Sequence, residues 1–178
     1  MKPVSDIALI LKAASFAAHK HRDQRRKDAN ATPYINHPLA LASVLADEAG
    51  ITDAEVLAAA LLHDTIEDTL TGADELRAAF GERITSIVEE VTDDKSLDKA
   101  ERKRLQEVDA PSKSREAKLV KLADKICNLR DLAASPPRDW DLARRREYFD
   151  WARRVMAGLR GTHAGLEALY DRAAEARP

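Results

Sequence analysis

Residues 54–68 read AEVLAAALLHDTIED: an apolar run that ends by placing a histidine, two aspartates and a glutamate in its last six positions. The first half is apolar nearly all round, which predicts a central helix without a solvent face. Charged groups in such a place cost several kcal/mol unless they are paired or bind a metal. On one continuous 3.6-residue helix, His63, Asp64, Glu67 and Asp68 fall at about 0°, 100°, 40° and 140°, so all four share a sector. Ala59 and Ala60, one turn earlier, leave room there for another element. The plainer alternative is a solvated helix end with a capping carboxylate, which the apolar first half disfavours.

Helical periodicity continues in both directions. Ser5 is expected to cap a helix to about His21, with Ile7, Ile10, Leu11, Ala14 and Ala18 on one face. The polar stretch from Arg22 to Asn36 reads as a loop, interrupted by Pro33. His37-Pro38 opens a second helix, with proline in the favoured first position, ending near Gly50. Asp53 caps the 54–68 helix, ADELRAAF ends at Gly81, and ERITSIVEEVT follows. Residues 93–108 are strongly charged and read as a mobile loop plus a solvated helix. SREAKLVKLADKICNLRDL carries Leu119, Leu122, Ile126 and Leu129 at helical spacing. Two amphipathic helices, roughly 139–159 and 162–176, come after the break at Ser135-Pro136-Pro137; their apolar stripes either pack inside or face a partner. With no alternating strand pattern, repeat or linker, the expected fold is all-α, a single helical bundle over residues 1–178.

Bulk properties narrow the function. The chain has 178 residues, 44% apolar and 34% charged, and 29 basic against 31 acidic residues leave a net charge of −2. This is the composition of an ordered globular protein, and the balance argues against generic binding to nucleic acid or an acidic membrane. No apolar run approaches the roughly 20 residues of a membrane helix, and Asp6 and Lys12 interrupt the apolar stretch that a signal peptide would need. Cys127 is the only cysteine. It reads as a small buried hydrophobe, and its solitude suits a reducing, cytoplasmic setting.

Two further features join the opening motif. Asp124 and Asn128 lie four apart in KLVKLADKICNLRDL and stack on one helix face, although a surface pair with Lys121 or Lys125 would explain them equally. His37 stands in PYINHP, held between two prolines. Together, His37, His63, Asp64 and Asp124 make a mixed nitrogen and oxygen set suited to Mn²⁺, Fe²⁺ or Zn²⁺ with open coordination positions. Glu67 and Asp68 are left beside it, where acidic groups can orient a metal-bound water and accept its proton.

HRDQRRKDANATPYINHP, ALLHDTIEDT and KLVKLADKICNLRDL, in that order, resemble the HD-domain hydrolase module of the RelA/SpoT family. The nearest likeness is to its single-domain branch, the small alarmone hydrolases of bacteria and animals. The likeness spans about residues 7–160. It implies hydrolysis of the 3′-diphosphate of guanosine tetra- or pentaphosphate, (p)ppGpp, to GDP or GTP and pyrophosphate, with Mn²⁺. Residue by residue, it implies His37, His63, Asp64 and Asp124 as metal ligands, and Glu67 and Asp68 as the pair activating the attacking water. Arg26 and Lys27 match the basic pair near the substrate, and Asn128 the asparagine near the nucleotide. The RRKDANAT loop is longer than in many long family members. A diphosphate-rich substrate needs charge neutralisation, which Arg25-Arg26-Lys27 would supply, unless that run is only a solvated loop. Lys99, Arg102 and Lys103 either reach phosphate or form a solvated face, and Arg144 and Tyr148 either flank the nucleotide or pack on a terminal helix. Two other readings stay open: a related phosphohydrolase acting on NADPH or another nucleotide, and a metal-dependent binding module without turnover.

Overall fold

The computed structural model describes residues 5–178. Ten α-helices follow in order: α1 Asp6–Lys20, α2 Asn36–Ser43, α3 Ala54–Leu62, α4 Thr65–Asp68, α5 Ala73–Phe80, α6 Glu82–Val91, α7 Lys99–Asp109, α8 Arg115–Ala134, α9 Leu142–Ala157 and α10 Ala164–Ala174. There is no strand among the described residues; Arg25 and Pro33 form one isolated antiparallel bridge inside the loop after α1.

Two helices organise the rest. Every residue of α3 except Glu55 is buried, and α3 packs on α1, α2, α6 and α8. The longer α8 packs on α2, α6, α9 and α10. One apolar cluster takes in residues of α1, α2, α3, α5, α6, α8, α9 and α10. The stripes of the last two helices face inward: Phe149, Trp151 and Met156 of α9, and Leu166 and Tyr170 of α10, are all buried. Side-chain caps stop the chain where the sequence offers them. Ser5, Asp53, Asp98, Ser114 and Asp141 each accept a backbone N–H in the first turn, and Gly81 turns α5 into α6 at φ +86°.

Several expectations need correction. The face of α1 is turned: Ile7 and Leu11 are 72% and 64% exposed, whereas Ala13 and Ala17 are fully buried. Close packing on α3 favours the two small residues over the bulkier row. The second helix starts at Asn36 rather than at Pro38, because Ile35 is already helical at φ −56°; proline is tolerated in a first turn, where no carbonyl partner is lost. It then loosens into a π-helical turn over Val44–Glu48 before Gly50. The helix over 54–68 is broken. His63 Nδ1 donates to the Ala60 carbonyl at 2.8 Å and Thr65 Oγ1 to the Leu62 carbonyl at 2.6 Å. Such side-chain bonds compete with the helical ladder, and Asp64 leaves helical geometry at φ −100°, ψ 1°. The final two helices are shorter than expected, capped by Asp141 and by His163 Nδ1.

One close approach fixes the C-terminal half. A Cβ on Gly158 would stand 2.7 Å from Ala110 Cβ and 2.8 Å from Pro111 Cδ. Overpacking of this kind costs about 1–3 kcal/mol. Gly158→Ala is therefore expected to lower the urea midpoint with an unchanged m-value, and an unaltered midpoint would show that the turn yields freely.

Candidate active site

The break after α3 delivers its polar residues to a point where α2, α3 and α8 meet. His37 and His63 are buried, at 4% and 5% exposure, with ring centroids 5.3 Å apart. His37 Nε2 lies 3.2 Å from Asp124 Oδ1, and His63 Nε2 lies 4.0 Å from the same oxygen. Ligand atoms of His37, His63 and Asp124 all fall within 4.8 Å of one another. Asp64 is outside that three-way group, yet its Oδ2 is 2.8 Å from His63 Nε2. Tyr34 Oη donates to the same Asp64 oxygen.

Hydrogen bonding prepares these atoms for a cation. The Ala60 carbonyl can only accept, so His63 holds a proton on Nδ1 and turns Nε2 toward the carboxylates, the atom a cation would bind once its own proton is displaced. That nitrogen is buried and lies 2.8 Å from Asp64 Oδ2, without the alignment of a good hydrogen bond. A carbonyl behind the imidazole is how metal-ligating histidines are usually oriented. Asp124 Oδ1 also accepts from Asn128 Nδ2 at 2.7 Å, and Lys125 Nζ lies 3.3 Å from the other oxygen. Lys125 is itself buried, 4.3 Å above the Trp151 ring and 3.2 Å from Gln106 Oε1.

Electrostatics follow from this crowding. Burial opposes the charged form of His63, but Asp64 and Asp124 outweigh it and raise its pKa to about 9. Burial raises Asp64 and Asp124 as well; His63 for the first, Lys125 and His37 for the second, reverse this and hold both below the ordinary carboxylate range. Glu67 differs. Burial lifts it to about 7, against the opposing effect of the Asp93 backbone N–H, which donates to Oε2 at 3.0 Å. Asp68 receives Gln24 Nε2 on Oδ2 at 3.1 Å and an ion pair from Lys95 on Oδ1.

Two adjoining cavities open beside the cluster. The larger, about 520 Å³, is lined by Arg26, Lys27, His37, Asp68, Asn128 and Tyr148 among others. The smaller, about 390 Å³, is lined by Lys27, Lys99, Arg102, Lys103, Arg144 and Tyr148 among others. Lys27, Trp140 and Tyr148 border both. Arg26 is steadied by Asp131 at 2.6 Å, and Arg144 lies 4.4 Å over Trp140. The six residues read as substrate contacts thus line these two cavities. Glu67 lines neither cavity. Lys125 does pair with Asp124, as one alternative had it, though buried rather than at the surface. Tyr34, Gln24 and Lys95 escaped the sequence reading. Only Tyr34 carried a signal, its place three residues before His37 in PYINHP.

The HD-domain family model matches residues 13–150. The chain is 60% identical over 167 residues to guanosine-3′,5′-bis(diphosphate) 3′-pyrophosphohydrolase MESH1 of Xenopus tropicalis, covering 94% of this chain and 93% of that protein. It is 59% identical over 163 residues to the Homo sapiens protein of the same name, covering 92% and 91%. A solved structure of a metazoan ortholog of SpoT, described as hydrolysing ppGpp, superimposes with a TM-score of 0.93 at 49% identity, over 96% of each chain.

The buried Glu67 makes a pH-dependent prediction. A carboxyl raised from 4.5 to about 7 favours folding in its protonated form. That stability is fully present below pH 4.5 and is lost as pH rises through 7. In metal-free protein, Glu67→Gln should therefore be more stable than the parent at pH 8, by up to about 3 kcal/mol, and not at pH 4. Denaturant titrations at the two values check this; an equal difference at both would contradict it.

Proposed function

The chain belongs to the HD-domain family, and on that premise we propose that it is a guanosine-3′,5′-bis(diphosphate) 3′-pyrophosphohydrolase. It removes the 3′-diphosphate of (p)ppGpp, leaving GDP or GTP and releasing pyrophosphate. The observation that carries the reading is the meeting of the His37–His63–Asp124 cluster with two adjoining cavities lined by Arg26, Lys27, Lys99 and Arg144. A metal set alone suits many reactions. A metal set opening onto that much positive charge suits a substrate with phosphates at two places.

We assign His37, His63, Asp64 and Asp124 to a divalent metal; the donors suit Mn²⁺, Fe²⁺ or Zn²⁺ alike, and the family likeness makes it Mn²⁺. The convergence of His63 Nε2 on both Asp64 and Asp124 supports the fit. Bound there, the ion would neutralise charge developing on the transferring phosphorus. The protein's own groups do the rest. Glu67, with a pKa raised to about 7 by burial, is matched to taking a proton from the attacking water near neutral pH. Asp68, held by two donors, orients that water. Arg26 and Lys27 receive the 3′-diphosphate, with Arg26 already aligned by Asp131. Lys99 and Arg144 neutralise the phosphates at the far end, and Tyr148 and Trp140 offer aromatic faces to the nucleoside between them. Asn128, whose amide is committed to Asp124, contacts the nucleotide through its remaining edge. The buried, solitary Cys127 suits a cytoplasmic enzyme.

Two experiments divide these roles. Asp64→Ala should lose bound metal and turnover together, whereas Glu67→Ala should keep its metal and lose roughly 100-fold or more in kcat, as expected of a general base. Metal loss in the second variant, measured by elemental analysis, would overturn the division. A panel of guanosine tetraphosphate, GTP and NADPH with added Mn²⁺ should give the highest kcat/KM, and stoichiometric pyrophosphate, with the first. Preference for NADPH would make the chain a different phosphohydrolase on the same scaffold, and no turnover of any of the three would favour a binding module.

A further inference from the structure

Asp68 is the only member of the proposed water-activating pair that borders the larger cavity, and its carboxylate is held by a short, directional chain of side chains. His21, 2% exposed, lies at the end of α1 with its ring 4.8 Å from that of Tyr34. Its Nδ1 is 2.6 Å from Gln24 Oε1. An amide oxygen only accepts, so His21 donates from Nδ1 and anchors the oxygen end of the Gln24 amide, whose other end must offer its N–H to the acceptor-only Asp68 carboxylate. The Gln24 amide nitrogen is thereby turned outward, where it donates to Asp68 Oδ2 at 3.1 Å. Lys95 takes the other oxygen. Gln24 is anchored through its backbone as well: its N–H donates to the His21 carbonyl at 2.9 Å, and its carbonyl accepts the Tyr34 N–H at 3.1 Å.

We propose that Gln24 is a positioning residue for the hydrolytic reaction: oriented by His21, it fixes the plane of the Asp68 carboxylate so that its free lone pairs face the attacking water. The proposal rests on Asp68 belonging to the water-activating pair. Three features set Gln24 apart from ordinary loop packing. Its side chain joins two polar groups rather than apolar ones, its oxygen end is anchored by a buried histidine, and its N–H is directed at a proposed catalytic carboxylate. A carboxylate with one oxygen held only by a flexible, half-exposed lysine would rotate about its χ2; the amide removes that freedom.

Steady-state kinetics on guanosine tetraphosphate at saturating Mn²⁺ test this with Gln24→Ala, Gln24→Glu, Asp68→Ala and the double variant Gln24→Ala/Asp68→Ala. Gln24→Ala should lower kcat roughly 10- to 100-fold, the usual range for a group orienting an active residue, with KM, metal content and melting temperature nearly unchanged. Gln24→Glu, which keeps the shape but presents an acceptor and a like charge to Asp68, should lose at least as much. On the Asp68→Ala background, removing Gln24 should cost no further activity, because its only route to the reaction is gone. An equal loss on both backgrounds, or a raised KM with kcat intact, would overturn the proposal and make Gln24 a substrate contact. A full kcat in Gln24→Ala beside a reduced kcat in Asp68→Ala would overturn it while leaving the role of Asp68 standing. A full kcat in Asp68→Ala would overturn both.

Discussion

Asp64 and Asp124 are carboxylates in the interior of a helical protein, both on the same imidazole, His63, and the rest of the molecule serves to keep them there. A lone buried charge is expensive, and a pair of like charges more so. The fold meets that cost group by group. Asp124 has Lys125, Asn128 and His37 around it; Asp64 has Tyr34 and His63. The apolar packing of α3 and α8 is the frame for this. Leu62, adjacent to His63, and Ala123, adjacent to Asp124, are both fully buried, so neither ligand can withdraw without opening the core. In the metal-free protein the charge between the carboxylates is supplied by a proton on His63, whose pKa they hold near 9. In the proposed enzyme a divalent ion takes that place and the proton leaves, which makes metal binding pH-dependent.

The same constraint separates the roles of neighbouring acids. Glu67 and Asp68 are adjacent in the chain, but the short α4 turns them apart. Glu67 goes under the loop that follows α6, against the Asp93 backbone, where burial keeps its affinity for protons high. Asp68 goes to the cavity, against Gln24 and Lys95. One is thereby suited to exchanging a proton and the other to holding a fixed orientation, a difference made by environment alone. The cations are segregated in turn. Lys125 faces the buried Asp124, whereas Lys27, Lys99 and Arg144 line the smaller cavity, with the exposed Asp139 near Arg144 at 3.9 Å.

The helices were legible because each depends on local pattern; the meeting of His37, His63 and Asp124, from three segments, was expected from the residue types those segments carry. The apolar run of α3, the leucine spacing of α8 and the capping residues each act within one turn of chain. The angular argument for residues 63–68 presumed an unbroken helix. It missed that His63 and Thr65 themselves take the carbonyls that would have continued the ladder. The face of α1 was misjudged because periodicity cannot say whether a row of isoleucine and leucine or a row of alanine lies inward when the neighbouring helix is close. Gln24 and Lys95 were invisible for a different reason. They reach Asp68 from 44 residues before it and 27 after, out of loops whose composition reads only as polar.

The account stands on a single cation between three segments of the chain. Anomalous diffraction from crystals grown with Mn²⁺ measures this most directly. It should give one strong peak bounded by His37 Nε2, His63 Nε2, Asp64 and Asp124. A peak elsewhere, or crystals of catalytically active protein with the peak missing one of those four side chains from its contacts, would contradict it.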